Sequence, residues 1–73
     1  MENKTVVTAL AALAQESRLN VFRLLVQIGA EGLPAGKIAE HLGIAPSSLS
    51  FHLKELSHAG LINARNQSRS IIY

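Results

Sequence analysis

"GLPAGKIAEHLGIAPSSLSFHLKELSHAGLI", residues 32–62, holds two short amphipathic patterns separated by almost nothing. In the first, Ala35, Ile38, Ala39 and Leu42 recur at i, i+3, i+4 and i+7, with Lys37, Glu40 and His41 outward. Pro34 stands at its start and Gly43 at its end, as helix boundaries require. Only Ile44 and Ala45 remain before Pro46 opens the second pattern, where Leu49, Leu53 and Leu56 make the apolar stripe and Gly60 stops it. A connection this tight prevents two helices from lying antiparallel, and the pattern predicts a helix-turn-helix. Neither helix has a good N-cap, because Pro34 and Ala45 occupy the places where Ser, Thr or Asp would serve.

The second helix poses a question of its own. Ser47, Ser48 and Ser50 crowd its first turns although serine is a mediocre helix former. Ser47, Phe51, Lys54 and His58 follow one another on the outward side. A helix N-terminus offers unpaired N–H groups and a partial positive charge, so it attracts phosphate. Serine hydroxyls can bond phosphate or base edges and permit close approach, and an aromatic ring can lie on thymine methyl groups. Lys54 would then reach the backbone. The structural alternative is ordinary N-terminal serines and a partly buried Phe51. His52, between Leu49 and Leu53 at the rim of the core, reads first as a hydrogen-bonded structural histidine.

Two helices precede this unit. Over residues 3–14, Val6, Leu10, Leu13 and Ala14 form a stripe that Val7 and Ala11 widen, with no charge beyond Lys4. So apolar a helix should pack on both sides, as a core helix or as a subunit interface through Val6, Leu10 and Leu13. Over residues 16–28, Glu16, Asn20, Arg23 and Gln27 make one narrow polar stripe, which predicts a central and mostly buried helix. Gly29 ends it and "GAEG", residues 29–32, is a turn. After Gly60, "LINAR" (residues 61–65) and "SIIY" (residues 70–73) read as strands around an "NQS" turn (residues 66–68), with Leu33 as a minimal third strand. Arg65 and Arg69 flank that turn. Such arginines suit phosphate or a narrow minor groove, and charge also protects an edge hairpin from aggregation. The fold class is therefore mostly α with a small β-hairpin, a winged helix-turn-helix in one domain, residues 1–73.

Composition narrows the function. A chain of 73 residues buries only about 60 % of its unfolded surface and gains from a partner chain. It has no cysteine, so disulfides and thiolate metal sites are excluded, and a cytoplasmic setting fits. The apolar run in residues 6–14 is far short of the roughly 20 residues a membrane span needs. Glu2 and the alanine-rich character argue against a signal peptide. Charge is uneven. Residues 1–36 balance Lys4, Arg18 and Arg23 against Glu2, Glu16 and Glu31, whereas Lys37, Lys54, Arg65 and Arg69 outnumber Glu40 and Glu55 in the remainder. The second half is thus the one suited to a polyanion. His41, His52 and His58 match no zinc spacing. With no Asp, no Cys and no glycine-rich phosphate loop, no catalytic constellation forms and no enzyme is expected.

"LAALAQESRLNVFRLL" (residues 10–25), residues 32–62 quoted above and "RNQSRSIIY" (residues 65–73) resemble the ArsR/SmtB family of winged-helix, metal- and stress-responsive repressors over nearly the whole chain. The resemblance implies a homodimer that binds operator DNA and is released by an inducer. It places Ser47, Ser48, Ser50, Phe51 and His52 on or beside the recognition helix, which leaves His52 open between a structural and a DNA-facing role. It places Arg65 and Arg69 in the wing and gives the first helix a part in the dimer. Many members sense thiophilic metals through a C-x-C pair; those places are Pro34 and Gly36 here. The family also continues past the wing into a further helix, and residues 32–56 resemble the arsenite-responsive branch, whose thiols follow the wing. That implies no cofactor within this chain and a metalloid inducer bound outside residues 1–73. Ser68 stands where a wing-turn glycine is common. A winged helix used only for protein–protein interaction is the alternative.

Overall fold

A computed structural model describes residues 2–67 and 70–73. Four helices and a hairpin follow in order: α1 (Asn3–Leu13), α2 (Glu16–Ile28), a 3-10 turn (Gly29–Glu31), α3 (Ala35–Leu42), α4 (Pro46–His58), β1 (Arg65–Gln67) and β2 (Ser70–Ile72). Ala12, Val21, Leu24, Ile38, Ala39, Leu49, Leu53 and Leu56 form one buried cluster to which all four helices contribute. The apolar stripes predicted for α3 and α4 therefore face inward, and Lys37, Glu40 and His41 face outward.

The connections explain why the elements sit where they do. Between α1 and α2 the side chain of Gln15 caps α2 by accepting from the Arg18 N–H at 2.8 Å. Arg18 Nε turns back to donate to the Ala12 carbonyl at 2.7 Å, satisfying a carbonyl left open at the end of α1. Gly43 ends α3 in the left-handed conformation, φ 66° and ψ 34°. The N–H groups of Gly43 and Ile44 both reach the Ala39 carbonyl, so the chain reverses within three residues and delivers Pro46 to the first turn of α4. As expected, neither Pro34 nor Ala45 supplies a side-chain cap.

Several expectations are corrected. Helix α2 is not mostly buried: Val21 and Leu24 are, but Leu19 and Val26 are exposed, the latter at 63 %. Its width of apolar surface exceeds what α1, α3 and α4 of one chain can cover. Within one chain helix α1 packs on a single side, burying Ala12 and leaving Val7 and Leu10 exposed at 63 % and 62 %, so of the two readings the core helix is the one set aside. Leu13 packs on this chain's own core and Val6 is half-buried. The first strand starts at Arg65, not at Leu61, because β2 is three residues long and the register Arg65↔Ile72, Asn66↔Ile71, Gln67↔Ser70 leaves residues 61–64 unpaired. Leu61 and Ile62 are apolar for a different reason: they pack on the core as an irregular segment. Asn66 and Gln67, expected in the turn, lie in β1; the rest of that turn, Ser68 and Arg69, lies outside the described residues.

The minimal third strand exists as a single bridge, Pro34↔Ile72. Leu33 and Tyr73 exchange both backbone hydrogen bonds, at 2.9 and 3.1 Å. Gly32, at φ 68°, makes this approach possible. A Cβ there would collide with the Tyr73 carbonyl oxygen and lie 2.7 Å from Ile72 Cγ2.

Candidate nucleic-acid interface

Helix α4 separates its two tasks by face. Leu49, Leu53 and Leu56 are buried, while Ser47, Ser48, Ser50, Phe51, Lys54 and His58 are exposed. Pro46 at the first helical position fixes the entry of the chain without needing an N–H partner. The N-terminus of α4 has no side-chain cap, so its first N–H groups stay available to an outside acceptor. Three small hydroxyls surround it.

Phe51 is 55 % exposed and stands among the exposed residues of α4. It meets the His52 ring edge-on, with centroids 6.0 Å apart and planes at 61°. His52 itself is half-buried, and its Nδ1 is buried with no hydrogen-bond partner. The hydrogen-bonded structural histidine expected from sequence is therefore corrected. No polar side chain is buried among the described residues, so no buried side chain is there to pair with it.

Arg65 has a role the sequence did not disclose. Its Nη1 donates to the Ala30 carbonyl at 3.1 Å and its Nη2 to the Glu31 carbonyl at 2.7 Å. Those carbonyls close the 3-10 turn that extends α2, where helix geometry leaves acceptors unpaired and partly negative. The Arg65 guanidinium is thus turned back onto the body of the domain and does not project freely from the hairpin. Arg69 lies outside the described residues. Below the hairpin, Phe22, Val26, Ala30, Ile62, Ile72 and Tyr73 line an open groove of about 270 Å³ whose wall includes Arg65.

Among the described residues no three His or Glu side chains come together as a metal-ligand group. Pro34 and Gly36, at the places of the thiol pair, offer no donor atom. Pro34 is engaged in the bridge to Ile72.

These elements define a winged helix-turn-helix domain. Residues 13–65 match the family described as "Helix-turn-helix domain". The sequence is 41 % identical over 59 residues to an uncharacterised HTH-type transcriptional regulator of Bacillus subtilis, YceK, covering 81 % of this chain and 58 % of that protein. It is 33 % identical over 67 residues to the transcriptional activator HlyU of Vibrio cholerae (92 % and 59 %). It is 37 % identical over 68 residues to the HTH-type transcriptional regulator NmtR of Mycobacterium tuberculosis (93 % and 54 %). The fold superposes on a solved structure of Vibrio cholerae HlyU with a TM-score of 0.86 at 32 % identity, covering 100 % of this chain and 78 % of that one. The chain belongs to the ArsR/SmtB-type family of winged helix-turn-helix transcriptional regulators, and a regulator of this family is not an enzyme. The chain spans a little under three-fifths of the length of these curated relatives. Among its described residues, no helix is long and apolar enough to cross a membrane.

Proposed function

We propose that this chain is the DNA-binding unit of a homodimeric, cytoplasmic transcriptional repressor that holds an operator through α4 and the wing and leaves it when an inducer binds. The observation that carries the proposal is the division of α4. Its leucines anchor it while its N-terminal serines surround an uncapped helix end and Phe51 and Lys54 stand exposed further along. In the major groove, the serines and free N–H groups would meet phosphates and base edges. Phe51 would lie on thymine methyls, and Lys54 would neutralise a phosphate. His52 stands beside this face, and Arg69 supplies wing charge.

The exposed Val7 and Leu10 support a second copy against α1, with Val6 beside them. A two-fold dimer would place two α4 helices about 34 Å apart, one turn of DNA, over an inverted repeat. A dimer seated on an operator would block transcription, hence repression, although one relative carries the name of an activator. The inducer, arsenite or another metal(loid), would be bound by residues other than 1–73, since this chain contains no thiol. The competing reading, a module that binds only proteins, is disfavoured by the three exposed serines around a helix N-terminus that has no side-chain cap.

Fluorescence anisotropy with promoter DNA, measured from low to high salt, tests the proposal. Affinity should fall steeply, by about 0.9 log units per log unit of salt for each phosphate contacted. A flat response would sink it.

A further inference from the structure

We propose that Arg65 is a positioning residue of the wing: it straps the hairpin to the turn between α2 and α3 and sets the angle at which the wing meets DNA, without itself contacting phosphate. This rests on the DNA-binding reading above. The hairpin is tied to the domain at one level along its length. On the β2 side, Tyr73 and Leu33 exchange backbone hydrogen bonds and Ile72 bridges Pro34. On the β1 side, Arg65, which pairs with Ile72 across the hairpin, donates both Nη groups to Ala30 and Glu31. Residues 61–64, which join α4 to β1, form no ladder with β2; Leu61 and Ile62 pack on the core, and the strap acts beside that anchorage.

The two ties reach the same short stretch, residues 30–34, which leads directly into α3. Helix α3 in turn packs on α4 through Ile38 and Ala39. The strap thus refers the wing to the recognition helix by a route independent of the chain connection. A planar, bidentate donor suits two successive carbonyls at the negative end of a helix. A lysine would supply one point charge and no fork. Beyond Arg65 the hairpin runs out by about 3.3 Å per residue, so a small tilt at its base is magnified at the tip.

The experiment compares wild type with Arg65→Ala and Arg65→Lys. It uses a mixed-sequence duplex of about 30 base pairs and backbone amide spectra of each protein. The strap predicts that Arg65→Ala binds roughly three- to tenfold more weakly. The slope of log affinity against log salt stays that of wild type, and the amides of Ala30, Asn66 and Ile71 shift in the free protein while those of α4 do not. Arg65→Lys should recover only part of the affinity. A slope smaller by about 0.9 in Arg65→Ala, with the wing amides unmoved, would show a direct phosphate contact and overturn the proposal. Unmoved wing amides with unchanged affinity would overturn it too. A wild-type protein that binds no duplex would refute the DNA-binding reading and the positioning role with it, while shifted wing amides would still show that the strap exists.

Discussion

Helix α4 and the β1–β2 hairpin are held to one domain by different means. Helix α4 is anchored by three leucines buried in the common core, a large apolar contact with no directional requirement. Among the described residues the hairpin buries Ile72, Tyr73 just after it packs partly on the core, and two backbone hydrogen bonds, one bridge and the Arg65 fork complete the attachment. The comparison teaches that the recognition helix is fixed by volume and the wing by geometry. Losing a leucine should therefore cost stability, and losing a wing tie should cost orientation.

The largest expected effect follows from the first half of that contrast. Leu53→Ala should lower unfolding free energy by about 2–5 kcal/mol, as truncation of a buried leucine does. For a domain this small that is much of the total. Urea denaturation measures it, and a loss below about 1 kcal/mol would mean that α4 is not anchored as described. Next comes Gly32→Ala, which forces a Cβ against the Tyr73 carbonyl and strains a positive φ. It should cost about 1–3 kcal/mol and release Leu33 and Tyr73 amides to hydrogen exchange faster than the amides of α4. Uniform loss of protection across α4 and the hairpin would erase the distinction between them.

Smaller effects belong to the exposed face of α4. Lys54→Ala should weaken binding to all duplexes alike and reduce the salt slope by about 0.9, with stability within about 0.5 kcal/mol of wild type. An unchanged slope would remove Lys54 from the phosphate contacts. Ser48→Ala should change stability least, and its signature is altered preference among operator sequences rather than weaker non-specific binding. Equal losses on every sequence would assign Ser48 to the backbone instead.

The same contrast explains what the sequence disclosed. Stripes of Ile and Leu at helical spacing announce α3 and α4, because burial demands periodicity wherever one face meets a core. Gly43 and Pro46 announce the turn for equally local reasons. Nothing local distinguishes Leu61 and Ile62 as packed coil from the strand they resemble, since strand limits are set by the partner, and β2 is only three residues long. The width of apolar surface on α1 and α2 was legible, but whether the same chain covers it was not. Arg65 shows the limit for the site: a basic residue by a turn looks the same in sequence whether its guanidinium faces DNA or two carbonyls 34 and 35 residues away. His52 misled too: its place between Leu49 and Leu53 reads as a hydrogen-bonded ring, yet its buried Nδ1 has no partner among the described residues.

The central claim is that the outward, N-terminal part of α4 is the surface that meets DNA. Titrating isotope-labelled protein with a mixed-sequence duplex of about 30 base pairs at low salt, and following each backbone amide, tests it most directly. The account predicts that the largest shifts fall on residues 47–54 and on the hairpin, with α1 and the outer face of α2 little changed. Shifts confined to α1 and the outer face of α2, around Val7, Leu10 and Val26, or no shifts at all, would contradict it.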